Sequence, residues 1–154
     1  MRANENSPEF RAAERALRTP KVAVRFLPDR AALRDTMRVD MAVKAMPALA
    51  IAGNPFMMMV GIHRPHLPFV APPQDWARYA NRTVPAPINP GGQRGAPPWA
   101  LVSWELWAYS DLTHFQPNVP IDKAVELRRG YLAAISYADS LVGDLLGELQ
   151  AVEA

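Results

Sequence analysis

Residues 55–69 read PFMMMVGIHRPHLPF, and this stretch decides the predicted fold. Its first part, from Phe56 to Ile62, is a short apolar run without polar alternation, and it follows a Gly-Asn-Pro turn. Such a run is typical of a strand buried on both faces of a parallel sheet. Helix, glycine-containing turn and buried strand together make half of an α/β unit. The sequence therefore predicts an α/β fold with 56–62 as a core strand.

The segment before this run is predicted to be a helix over about 30–50. Asp29 follows a proline and is a suitable N-cap, because its carboxylate can accept hydrogen bonds from first-turn N–H groups. Pro47 should kink or shorten the last turns. Apolar residues recur at four-residue steps and predict a buried stripe: Leu33, Met37, Met41, Ala45 and Leu49.

The C-terminal part of the chain predicts a long helix, capped by Asp122 and running to about Val152, because its apolar residues follow a three-and-four spacing. Such a helix would cover a sheet face. The middle of the chain is rich in proline and should be mostly loop. A short helix is expected there over 74–79. An aromatic cluster that something must cover lies in the same region: Trp99, Trp104, Trp107, Tyr109 and Phe115.

Composition excludes several classes of function. The 154 residues carry 17 basic and 15 acidic side chains, a net charge of +2, and the basic residues are not gathered into one patch, which argues against nucleic acid. Without cysteine, disulfides and thiolate metal sites are excluded. No apolar run is long and uninterrupted enough for a membrane span. No signal peptide is visible in the first thirty residues, so the compartment is not predicted.

Polar chemistry is concentrated in the loop that follows the predicted strand. His63, Arg64 and His66 lie here, and the prolines at 65 and 68 stiffen the loop around His66. Ligands of open α/β sheets bind beyond the carboxyl ends of strands. Two imidazoles and a guanidinium suit an anionic group such as sulfate or phosphate. The alternative is a purely structural loop, and the histidine spacing gives no metal signature.

Several segments together resemble sulfatases of the iduronate-2-sulfatase type. Residues 55–69 are similar to the family's strand running into a Lys-Pro-His-x-Pro-Phe loop, and 27–29 (LPD), 72–76 (PPQDW) and 128–139 (RRGYLAAISYAD) match in order and spacing. The resemblance implies an α/β fragment of an alkaline-phosphatase/sulfatase-like sandwich, with a mostly parallel sheet flanked by helices and a loop-rich middle. It divides the chain into a weakly patterned segment, 1–21, and a partial catalytic domain, 22–154.

The resemblance also implies roles for the loop residues. His66 matches the family histidine that contacts the sulfate ester, so it is the expected catalytic residue. Arg64 stands where the family has lysine, and with His63 it is an expected substrate-binding residue, although a planar guanidinium and a point charge are not equivalent. The implied substrate is a sulfate ester, such as a sulfated sugar.

Other groups that the family needs have no counterpart here. The resemblance implies a formylglycine made from Cys or Ser in a Cys/Ser-x-Pro-x-Arg motif, and a calcium ion held by aspartate-rich segments, and neither motif is in the sequence. We therefore expect no cofactor in this chain, with Ca²⁺ and formylglycine belonging to the full-length family. The isolated chain is expected to be inactive.

Three interpretations remain open from the sequence. The chain is a partial sulfuric ester hydrolase from a truncated or split gene, or a non-catalytic module that binds a partner through its long helix and aromatic cluster. It is otherwise a segment of a related phosphoester hydrolase. Exposed strand edges and an apolar helix face would also predict self-association.

Overall fold

The computed structural model describes residues 8, 11–12, 22–27, 29–89, 94–101, 104–115 and 118–153. Most of the predicted N-terminal segment, 1–21, lies outside these residues. In chain order the elements are β1 (Val24–Phe26), α1 (Arg34–Ile51), β2 (Phe69–Ala71), α2 (Pro73–Ala80), a 3-10 turn (Pro98–Leu101), α3 (Trp104–Trp107), a second 3-10 turn (Thr113–Phe115) and α4 (Ile121–Glu153).

The described sheet consists of β1 and β2, which pair in parallel with Val24 opposite Phe69 and Phe26 opposite Ala71. Parallel strands need a crossover, and α1 lies between the two strands in the chain. The Phe69 amide extends the pairing by donating to the Ala23 carbonyl at 2.8 Å. The α/β class is therefore confirmed, with a small parallel sheet and flanking helices.

Helix α4 organises the packing, because it contacts both strands as well as α1 and α2. Its small residues Ala133 and Ala134 are fully buried, and they allow close approach to the sheet. Gly130 lies even closer, since a Cβ atom there would come within 3.2 Å of β1, β2 and α2 side chains. The central core is formed where α4 meets α1 and β2, by Leu33, Val39, Val70, Ala71, Ala133, Tyr137 and Leu141.

The predicted aromatic cluster is only partly assembled. Tyr109 is buried in a second core with Ala23, Leu112 and Leu127, and the rings of Trp107 and Phe115 pack against it. Trp99, in contrast, is 79% exposed. The cluster therefore joins the loop-rich middle to β1 and α4, but it does not include all of the predicted rings.

The prediction of a buried strand over 56–62 is wrong for this structure. The segment has no strand assignment, and none of its residues makes a backbone–backbone hydrogen bond with another described residue. Its side chains still alternate as in an extended chain: Val60 and Ile62 pack against the core, whereas Met57 and Met59 are 84% and 82% exposed. A strand needs a neighbouring backbone to pair with, and the described chain places none beside this segment.

The first helix is confirmed, but its predicted start and buried face are corrected. Helix α1 begins at Arg34, and Asp29 instead accepts from the Ala31 amide in the preceding turn. Helix α1 continues past Pro47 to Ile51. The predicted buried stripe is wrong at two of its positions, because the side chains of Met41 and Leu49 are more than a third exposed. The buried face consists of Asp35, Thr36, Val39, Ala42 and Met46, and its two polar members, Asp35 and Thr36, cannot be found from an apolar pattern.

The two remaining helix predictions, α2 and α4, are confirmed within a few residues. The predicted cap of α4 is wrong, because the helix begins at Ile121 and Asp122 lies inside its first turn. Helix α4 buries one face against the sheet, as expected. It also exposes several large apolar side chains: Tyr131, Ile135, Val142, Leu146 and Leu149. Among the described helices, none has the length and apolar character to cross a membrane.

Candidate functional site

The candidate site is the loop from His63 to Pro68, between the extended segment 56–62 and β2. The chain turns here, with the His66 amide donating to the His63 carbonyl at 3.0 Å. The peptide bonds preceding Pro65 and Pro68 are both cis. The hydrogen bond between His66 and His63 closes a compact turn, and the C-terminal end of the loop continues directly into β2.

The His66 ring is held at the surface in a defined orientation. Its Nδ1 lies 2.8 Å from the Leu67 carbonyl oxygen, and its side chain is 53% exposed. A carbonyl oxygen only accepts hydrogen bonds, so Nδ1 is the donor in this contact. The other ring nitrogen, Nε2, makes no hydrogen bond to any described residue. Glu105, from α3, places a carboxylate oxygen 3.6 Å from Nδ1.

The structure brings the two predicted histidines together. The rings of His63 and His66 are stacked, with centroids 4.5 Å apart and planes 25° apart. Partial burial lowers the pKa of His63 below its ordinary value, and the nearby charges of Arg64 and His66 lower it further. Asp35 opposes this shift without cancelling it. Because its pKa is lowered, His63 is neutral at neutral pH.

Arg64 occupies a different environment from the two histidines. It is only 7% exposed, and two guanidinium nitrogens, Nε and Nη1, are buried with no hydrogen-bond partner among the described residues. Burial lowers the pKa of Arg64 from its ordinary value, against the raising effect of the Asp35 charge. A buried guanidinium with open donors is costly unless an anionic or carbonyl oxygen meets it. The guanidinium therefore has two buried donors that the described residues leave unpaired.

The structure also adds two carboxylates that the sequence analysis did not select. Asp35, in the first turn of α1, accepts from the amides of His63 and Arg64 at 3.0 and 3.1 Å. Glu105 approaches His66 from α3. Acidic residues are common in first helical turns, so Asp35 carried a weak local signal. Its partners lie 28 and 29 residues away, which no local pattern reveals.

The site's donor set does not fit a calcium ion. Calcium takes six to eight oxygen ligands, several of them carboxylates. Across the described ranges, no three His, Asp or Glu side chains come together in a way that could hold a metal. The present sequence also contains no Cys/Ser-x-Pro-x-Arg motif from which a formylglycine could be made. The chemistry of the described site is that of hydrogen-bond donors for an anion.

Comparison with known proteins confirms the resemblance to sulfatases that was stated from the sequence: the chain is a sulfatase-like segment. No family model matches the chain. The similarity is carried by individual curated relatives, which are sulfatases by name.

The relatives are iduronate 2-sulfatases. The chain is 28% identical to iduronate 2-sulfatase of Homo sapiens over 124 residues, and 27% identical to iduronate 2-sulfatase of Mus musculus over 123 residues. Each match covers 76% of this chain and 22% of the relative. The chain therefore spans about a fifth of the length of the curated relatives it matches.

Proposed function

We propose that this chain forms part of a sulfuric ester hydrolase similar to iduronate 2-sulfatase, and that its His63–His66 loop contacts the sulfate group of the substrate. The single observation that carries the proposal is the His66 ring, which is exposed and fixed through Nδ1 while its Nε2 is open. The similarity to sulfatases supports the choice of a sulfate ester as the anionic substrate.

The hydrogen bond to Leu67 determines which ring nitrogen of His66 can bind an anion. Because the Nδ1 proton points to a carbonyl, Nε2 carries a proton only in the imidazolium form. In that form Nε2–H can donate to an ester oxygen and supply a proton to the leaving alcohol. The Glu105 carboxylate oxygen, 3.6 Å from Nδ1, lies on the side of the ring that faces away from Nε2. His66 is thus proposed as the catalytic residue of this loop.

Arg64 and His63 are proposed as substrate-binding residues with different tasks. The open guanidinium donors of Arg64 can neutralise an oxyanion that reaches them. The neutral His63 supports the His66 ring by stacking. A related phosphoester hydrolase would use the same tetrahedral oxyanion contacts, and the sulfatase reading rests on the similarity to the curated relatives. A sulfated sugar is the proposed substrate class in the complete enzyme.

The complete enzyme needs more than this chain. We propose that the calcium ion and the formylglycine implied by the family resemblance are held by residues outside the present sequence, within the sandwich of an alkaline-phosphatase-like domain. The isolated chain would then bind sulfate without hydrolysing esters. An aryl sulfate assay in the presence of calcium tests this, and turnover that depends on His66 would contradict it.

His66→Gln is expected to weaken the binding of inorganic sulfate by about tenfold or more, because it removes the imidazole that donates a hydrogen bond to the anion, and hydrogen bonds to charged groups contribute about 1.5–3 kcal/mol. Binding is measured by titrating sulfate into the isotope-labelled chain and following the histidine ring signals by NMR.

The matched control for that titration is His114→Gln. His114 is exposed and lies in the 3-10 turn 113–115, far along the chain from the loop, where its ring is tilted by 44° against that of Phe115. This variant should bind sulfate like the unmodified chain. The proposed contact would be refuted if His66→Gln bound sulfate as tightly as the unmodified chain. It would also be refuted if the unmodified chain showed no saturable sulfate binding.

A second property, self-association, is proposed from the groove between α1 and the extended segment 56–62. Its lining is mainly apolar and includes Met41, Leu49, Phe56 and the methionines at 57–59. The segment's open backbone and exposed methionines match the requirements for pairing with the same segment of a second copy.

The double substitution Met57→Asp with Met59→Asp is therefore expected to shift the chain from dimer to monomer, because two like charges per copy would meet in the paired segments. Light scattering during gel filtration measures the molar mass. Substituting Ile88→Asp, at a fully exposed position outside the groove, is the control and should leave the dimer intact. A monomeric unmodified chain at high concentration would contradict the proposal.

A further inference from the structure

We propose that Asp35 is the positioning residue of the His63–His66 loop, holding the loop in its binding conformation from the first turn of α1. This inference rests on the proposed function, because it concerns the same loop. It adds a residue that neither the sequence pattern nor the similarity to sulfatases assigns.

The contact itself is a carboxylate clamp on two consecutive amides. Oδ1 of Asp35 accepts from the His63 N–H at 3.0 Å, and Oδ2 accepts from the Arg64 N–H at 3.1 Å. Each carboxylate oxygen thus takes one amide, which fixes the peptide plane between the two residues as well as its position. Hydrogen bonds to a charged acceptor are about twice as strong as neutral ones.

The clamp is anchored in a rigid part of the molecule. Asp35 is 3% exposed and lies in the first turn of α1, where the helix dipole favours a negative charge. The Arg38 guanidinium, one turn later, lies 3.3 Å from Oδ1 and balances that charge. The next residue, Thr36, is bound to Tyr137 of α4. The carboxylate therefore has little freedom to move relative to the core.

The restraint that Asp35 places on the loop backbone is transmitted to His66 through His63. The His63 carbonyl accepts the His66 amide at 3.0 Å, and the two rings stack. On the other side of the loop, Phe69 is tied to β1. The preceding segment 56–62 has no described backbone partner that could hold the loop from its N-terminal side. Asp35 supplies that missing attachment, and the imidazole orientation depends on it.

The variant Asp35→Asn tests the proposal. The asparagine amide can accept only one of the two N–H groups and presents a donor to the other. Sulfate affinity, measured by the NMR titration, should fall by about tenfold. Hydrogen exchange of the His63 and Arg64 amides should be slow in the unmodified chain and fast in the variant.

Two controls separate positioning from general stability and charge. Thr36→Ala removes a neighbouring buried hydrogen bond and lowers stability without touching the loop, so its sulfate affinity should be unchanged at temperatures where it is folded. Asp40→Asn removes an exposed charge from the same helix and should also bind normally. If all three variants lose affinity equally, or if the two amides exchange rapidly in the unmodified chain, the proposal is overturned.

The outcomes also distinguish this inference from the proposed function. Sulfate binding that is normal in Asp35→Asn but lost in His66→Gln would remove the positioning role and leave the proposed function standing. An unmodified chain that binds no sulfate but shows slow exchange at both amides would refute the function while retaining the clamp as a structural feature.

Discussion

Gly130→Leu is expected to lower the free energy of unfolding by about 2–3 kcal/mol, because the side chain has no room where α4 meets the sheet. A Cβ atom at this position would lie 3.1 Å from Cβ of Phe69, 3.2 Å from Cη2 of Trp76 and 3.2 Å from Cγ1 of Val24. These three atoms belong to β2, α2 and β1, so any shift of α4 disturbs both strands and a helix. Urea denaturation followed by circular dichroism measures the loss.

The same helix contains a matched control. At Gly143 nothing lies within 4 Å of an added Cβ atom. Gly143→Leu should therefore gain about 0.5–1 kcal/mol, because glycine is a poor helix former and leucine a good one. A comparable loss in both variants would show that crowding at 130 is not the cause, and a stabilised Gly130→Leu would show that α4 does not pack as described.

Tyr137→Phe is expected to cost about 1–3 kcal/mol of stability, because it leaves a buried donor without a partner. The Tyr137 hydroxyl accepts from the Thr36 amide at 3.0 Å and bonds the Thr36 hydroxyl at 2.6 Å. Thr36 lies in the first turn of α1, where N–H groups have no intrahelical partner, and the N-cap residue Leu33 offers no side-chain hydrogen bond. Tyr137 thus caps a helix 101 residues away.

The Tyr137 hydroxyl is expected to make the free energy of unfolding depend on pH in the alkaline range. Burial, the largest cause, raises the pKa of Tyr137 from 10.0 to about 12. The folded state therefore holds this proton more tightly than the unfolded state does. The contribution of this raised pKa to the free energy of unfolding is complete below pH 10 and is lost as pH rises from 10 towards 12. Unfolding measured between pH 9 and 11.5 should show a weaker decline for Tyr137→Phe than for the unmodified chain.

Tyr131→Phe provides the comparison for both measurements. Tyr131 lies on the same helix, is 43% exposed, and contacts Phe69 through its ring edge. Removing its hydroxyl should change stability by less than about 0.5 kcal/mol. If Tyr131→Phe and Tyr137→Phe were equally stable, the buried cap would make no net contribution.

The candidate site was predictable in its residues but not in its arrangement. The proline-framed loop and its polar side chains are visible in the printed sequence, and the similarity to sulfatases agrees with the resemblance drawn from them. The division of the loop into exposed histidines and a buried Arg64 is a tertiary result. So is the Asp35 clamp, since it joins segments that are far apart in the chain.

The amino-acid sequence by itself determined the helices, because their apolar periodicity and breaking residues act within a few positions along the chain. This is why α2 and α4 lie close to their predicted bounds. Only the tertiary structure decided which extended segments pair as strands. The two three-residue strands β1 and β2 pair because α1 and α4 bring them together, whereas the apolar segment 56–62 stays unpaired among the described residues. A β-strand forms only where a neighbouring strand provides hydrogen-bond partners for its backbone. The position of that neighbour depends on the whole fold rather than on the sequence of the segment itself.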